Sequence, residues 1–131
     1  METQKTVLII EDEKFLREAL VDILRFKKFL TLEAKNGKDG LNIALSKHPE
    51  LILLDIIMPE MDGVALLKKI REDAWGEKVP VIILTNLSAT SEQLTNNADT
   101  QNPTQYLIKS DWKLYDIVKK VEEILKAQNT L

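Results

Sequence analysis

The chain has 131 residues, enough for one compact domain with a single core and too few for two. Its 18 basic and 21 acidic residues leave a net charge of -3 without any run of like charge, so the electrostatic footprint of a nucleic-acid binder is missing. Cysteine is absent, which excludes disulfides and thiolate metal sites, and no apolar stretch approaches the roughly 20 residues a membrane span needs. The expectation is a soluble, cytoplasmic protein that touches neither nucleic acid nor membrane directly.

The first apolar run, Thr6-Val7-Leu8-Ile9-Ile10, ends in acid at Glu11-Asp12-Glu13 and predicts a strand, β1, over residues 6–10. Phe15, Leu16, Ala19, Leu20, Ile23 and Leu24 then recur at helical spacing, with Lys14, Arg17, Glu18, Asp22 and Arg25 opposite them: an amphipathic helix, α1, of about four turns. Residues 29–34 alternate weakly and read as an edge strand, β2, closed by an Asn36-Gly37 turn. Leu41, Ala44 and Leu45 mark a short helix, α2, that stops before His48-Pro49, because a residue preceding proline avoids the helical region. His48, the one histidine, has no second ligand type nearby and reads as a surface turn residue.

Leu51-Ile52-Leu53-Leu54-Asp55-Ile56-Ile57 is too uniformly apolar for a strand with one wet face, and predicts β3, buried on both sides in a parallel sheet. Asp55 is the exception. A carboxylate is costly to bury, which places it where the strand opens into the Met58-Pro59 loop. Val64, Leu66, Leu67 and Ile70 carry a third helix, α3, and residues 73–80 form a polar connection containing Trp75 and Gly76. Val81-Ile82-Ile83-Leu84 is β4, ending in Thr85-Asn86. Residues 88–105 turn polar, with Leu94 and Ala98 as inward positions of a weak helix, α4, and Asn102-Pro103 as a breaker. Residues 105–109 form β5, and Ser110 or Asp111 caps α5, whose apolar face is Leu114, Ile117, Val118, Val121, Ile124 and Leu125. Trp75, Trp112 and Tyr115 read as packing or surface residues.

Strands alternating with helices five times predict an α/β fold: a doubly wound, five-stranded parallel sheet with right-handed crossovers and five helices on both faces. Five units are too few to close a barrel. Parallel strands bring their carboxyl ends to one rim, where ligands of open α/β sheets bind. Glu11, Asp12, Asp55, Thr85 and Lys109 therefore converge there from four strands. Three carboxylates in one crevice repel each other and call for a cation. Mg²⁺ suits them, as a hard ion held by one or two carboxylates with water and phosphate oxygens. Such a site is built to accept a phosphoryl group: Asp55, central on the middle strand, is the candidate nucleophile, Thr85 a hydroxyl donor and Lys109 a balancing charge.

With these residues in place, the chain resembles a response-regulator receiver domain, the phospho-acceptor half of bacterial two-component signalling. The resemblance rests on Val7-Leu8-Ile9-Ile10-Glu11-Asp12-Glu13, on Leu54-Asp55-Ile56-Ile57-Met58-Pro59 followed by Met61-Asp62-Gly63, on Thr85 after an apolar strand, and on Tyr106-Leu107-Ile108-Lys109. It covers about residues 5–125 of a single domain, 1–131. It implies a flavodoxin-like (CheY-like) fold with strand order 2-1-3-4-5. It also implies that Asp55 takes its phosphoryl group from a histidine kinase or a histidine phosphotransfer protein. Asp12, Asp55 and the Ile57 backbone carbonyl would ligate Mg²⁺, with Glu11 acting through water and Lys109 contacting the phosphoryl group. Thr85 and Tyr106 would form a switch that reshapes the α4-β5-α5 face, where a downstream protein binds. The chain would be a signalling receiver rather than an enzyme, with no output module after α5; a stand-alone protein and a receiver cut from a longer regulator fit equally.

Three positions and one segment depart from the family pattern. Glu11 replaces a common aspartate and keeps its charge. Asn86 follows Thr85 where a small residue is usual, which alters access of kinase or water. Ser110 replaces a frequent proline, so the Lys109–Ser110 peptide is expected to be trans. The segment over residues 88–105 is longer than usual, with weak local order expected across 91–98. An aspartate-nucleophile phosphatase of the haloacid-dehalogenase type is the alternative from the enzyme class, but it needs an aspartate where Ile57 stands. A silent pseudo-receiver is opposed by the full acidic set with Thr85 and Lys109.

Overall fold

The computed structural model describes residues 4–55, 63–85, 105–108 and 113–128. In chain order these form β1 (Thr6–Ile10), α1 (Lys14–Phe26), β2 (Leu30–Ala34), α2 (Gly37–Lys47), β3 (Leu51–Asp55), α3 (Gly63–Glu72), a 3-10 turn (Trp75–Glu77), β4 (Val81–Thr85), β5 (Gln105–Ile108) and α5 (Leu114–Gln128). The expected α4 lies outside the described residues. All the strand pairs are parallel and the sheet runs β2-β1-β3-β4-β5. β1 and β3 are neighbours, so the chain reverses direction across the sheet between them, and this is the crevice where doubly wound sheets bind ligands.

The pleat sorts the strand residues into two cores. Val7 and Ile9, Leu51 and Leu53, Ile82 and Leu84, and Leu107 face α1 and α5. Leu8 and Ile10, Ile52 and Leu54, and Val81 and Ile83 face α2 and α3. Both faces are covered, which is why β3 reads as a continuous apolar run.

Several expectations shift in detail. Asn36 does not make a turn; its side chain accepts the Asp39 N–H at 2.8 Å and caps α2, which starts at Gly37 and is longer than the expected helix. Gly40 in this helix sits where a Cβ would fall 2.6 Å from Ile10 Cδ1, so the small residue lets α2 lie close on β1. Phe15, placed on the inner face of α1 by its spacing, is 80% exposed, and Val21 is buried instead. Within the polar connection, Trp75–Glu77 forms a 3-10 turn held by Arg71, whose Nη1 donates to the carbonyls of Gly76 and Val79 at 2.8 and 2.6 Å. Burial pushes the Arg71 guanidinium below its ordinary range. His48 is indeed an exposed residue just past a helix, with φ 49° and its ring stacked on Trp75 at 4.7 Å. No described helix is long and apolar enough to cross a membrane.

Candidate functional site: an acidic centre at the strand ends

β1 ends at Ile10, paired with Leu54 of β3, so the next residues along each strand, Glu11 and Asp55, come out side by side. Asp12 follows Glu11 into the turn that starts α1. One carboxylate oxygen from each of Glu11, Asp12 and Asp55 lies within 4.8 Å of the others. Two of the three are withdrawn from water: Glu11 is 1% exposed and Asp55 5%, while Asp12 stays exposed. The sequence expectation that acids far apart in the chain meet at one rim holds for all three.

At that spacing each ionised pair repels by about 1 kcal/mol in water-like surroundings and by roughly 3 to 4 kcal/mol at an effective dielectric of about 20. A divalent cation removes this repulsion. The donor set consists of carboxylate oxygens, without sulfur or imidazole, and fits a hard ion such as Mg²⁺ that keeps several waters.

The main chain of Glu11 is held from two sides. Its N–H donates to the Ala34 carbonyl at the end of β2 at 3.0 Å. Its carbonyl accepts Arg17 Nη1 at 2.9 Å, and Arg17 Nε reaches Glu33 Oε1 at 3.3 Å. An open cavity of about 530 Å³, lined by Arg17, Glu33, Lys35 and Asp39 among others, lies against this bond network. Sequence reading assigned Arg17 only to the polar face of α1. Its partners are a backbone carbonyl and a side chain on another strand, which leave no local pattern to read.

Thr85 is the last residue of β4 and pairs with Ile108, one step beyond the pairing of Leu84 with Asp55. The β4 backbone thus delivers Thr85 to the same rim. Tyr106 pairs with Ile83, inside the sheet. Ile57, Lys109, Asn86 and the Lys109–Ser110 peptide lie outside the described residues.

Residues 7–122 match the sequence profile of the response regulator receiver domain. The chain belongs to that family. Among relatives, this receiver is 43% identical over 86 residues, 66% of its length, to histidine kinase P4 of Formosa agariphila, of which it spans only 6%. It is 33% identical over 121 residues to a protein-glutamate methylesterase/protein-glutamine glutaminase of Archaeoglobus fulgidus, covering 92% of this chain and 34% of that enzyme. The receiver therefore corresponds to a minor part of each of these longer proteins, both of them enzymes by name. In fold it superimposes on a CheY-like response regulator receiver domain protein from Methanospirillum hungatei with a TM-score of 0.86 at 23% identity, covering 98% of both chains. The flavodoxin-like parallel α/β architecture expected from the resemblance is thereby established.

Proposed function

We propose that this receiver accepts a phosphoryl group on Asp55 from the phosphohistidine of a histidine kinase or histidine phosphotransfer protein. One observation carries the reading: adjacent parallel strands gather Glu11, Asp12 and Asp55 within 4.8 Å at their carboxyl ends, in a chain of the receiver family. An Asp55 Oδ attacks phosphorus while the N–P bond of the donor breaks, and the electron pair stays on the imidazole nitrogen, which takes up a proton. Asp12, Asp55 and the Ile57 carbonyl would hold Mg²⁺, with Glu11 acting through water; the ion would offset negative charge on the transferring oxygens. Lys109 contacts the phosphoryl group and Thr85 donates its hydroxyl to it.

Thr85 moves toward the phosphoryl group, and Tyr106 turns inward behind it. The α4-β5-α5 face changes shape with them and binds a downstream protein, with α4 as a helix within residues 88–105. A coupling of about 1 to 3 kcal/mol is enough for a 5- to 150-fold change in partner affinity. The domain fills residues 1–131, works in the cytoplasm and signals without an enzymatic reaction on any other substrate.

The test is incubation with Mg²⁺ and acetyl phosphate, followed by intact mass. A single phosphoryl adduct that is absent in Asp55→Asn is the expected result. Turnover of assorted phosphate esters would point to a phosphatase, and no adduct at all would leave a receiver that binds partners without phosphorylation.

A further inference from the structure

We propose that Arg17 is a positioning residue for the acidic centre, holding the peptide between Glu11 and Asp12 in the orientation that a divalent cation requires. The inference rests on the reading of that centre as a Mg²⁺ site. The Glu11 carbonyl that accepts Arg17 Nη1 at 2.9 Å belongs to the peptide joining Glu11 to Asp12. Two of the three clustered carboxylates therefore flank the group that Arg17 grips.

The grip is anchored elsewhere. From the same planar guanidinium, Nε reaches Glu33 Oε1 at 3.3 Å, and the Arg17 side chain is only 15% exposed. Glu33 is followed in β2 by Ala34, whose carbonyl accepts the Glu11 N–H at 3.0 Å. Helix α1, the end of β1 and the end of β2 are thus closed into one ring of bonds through Glu11. A fork with fixed angles between its donors sets orientation as well as distance, which a lysine ammonium cannot do. Exposed Asp12 has no strand pairing of its own, so its approach to Glu11 and Asp55 depends on the peptide that precedes it.

Charge and position predict opposite signs. If Arg17 mattered only as a cation near the carboxylates, removing it would deepen the negative potential and tighten Mg²⁺ binding. If it positions the peptide, removing it weakens binding, as loss of hydrogen-bonding support behind metal ligands does.

The experiment is calorimetric Mg²⁺ titration of the full chain at constant ionic strength, with thermal unfolding of each variant recorded without metal. Arg17→Gln is expected to weaken Mg²⁺ affinity about tenfold, and Arg17→Lys to recover only part of it. Glu33→Ala, on the edge strand β2, removes the acceptor of Arg17 Nε and is expected to lose roughly threefold by freeing the outer end of the fork. It carries the test if Arg17→Gln fails to fold. Wild-type binding with unchanged or tighter affinity in the variants would overturn the role of Arg17 alone. A wild-type chain that takes up no Mg²⁺ would overturn the reading of the centre as well.

Discussion

At the amino ends of the strands, charged side chains turn to main-chain groups, whereas at the carboxyl ends three carboxylates are gathered with one another. Arg71 caps the carbonyls of Gly76 and Val79, and the Glu50 carboxylate accepts the Thr6 N–H at the start of β1. The His48 ring covers Trp75 at the same end. These contacts close the fold. At the other end Glu11, Asp12 and Asp55 share a space smaller than 5 Å across, an arrangement that costs stability until a cation enters. The difference separates an end of satisfied contacts from an end of crowded like charge, and substitutions should respond with opposite signs.

The largest effect is expected at Gly76. A Cβ there would meet the Ile70 carbonyl oxygen at 2.0 Å, and backbone cannot yield as a side-chain tip can. Gly76→Ala should destabilise by about 3 kcal/mol in denaturant unfolding, while Mg²⁺ affinity at the far end stays at the wild-type value. Next comes Arg71→Met, which leaves two carbonyls without their charged donor and should cost about 2 kcal/mol by the same measurement. A loss of Mg²⁺ binding in either variant at a temperature where it is folded would erase the separation of the two ends.

The sign reverses at the acidic centre. Asp12→Asn should stabilise the metal-free chain by about 0.5 to 1 kcal/mol, because an exposed member of a repelling cluster loses its charge. Addition of Mg²⁺ should then raise the melting temperature of the wild type more than that of the variant, which reads out as the difference in ion-linked stabilisation. Equal shifts in both would remove Asp12 from the site.

The smallest effect concerns Lys27, which joins α1 to α5 with its ammonium 5.0 Å from the Tyr115 ring centre and 3.9 Å from Glu122. The hydrogen bond with Tyr115, helped by Glu122, holds the ammonium above its ordinary range against the opposing effect of burial. A group raised in the folded state stabilises below its unfolded value of 10.5, and that contribution is lost as pH rises through the folded value. Lys27→Met should therefore leave a melting curve whose alkaline decline above pH 10.5 is shallower than that of the wild type.

The acidic centre was legible because each apolar run that becomes a strand stops in a polar residue, and parallel pairing gathers such stops on one side. Asp55 stood out at the tail of Leu51–Leu54, but that stretch alone fits a turn aspartate better, and the polar stops of the other strands reversed the reading. Three features stayed hidden. Arg17 acts on a main-chain carbonyl, Phe15 has helical spacing but stands exposed in the first turn of α1, and Asn36 suits a turn and a helix cap equally well. For Arg17 the deciding partners are a main-chain carbonyl and a side chain on another strand, so a local pattern carries no record of them.

The strand order has a consequence for how the protein is made. The strands β2, β1 and β3 lie consecutively in the sheet and are complete once residue 55 has been synthesised, so all three acids exist, at the ends of the adjacent strands β1 and β3, before β4 and β5 have been translated. The half of the domain that carries these three acids therefore emerges from the ribosome first, as one contiguous block, and β4 and β5 are added to a floor already laid.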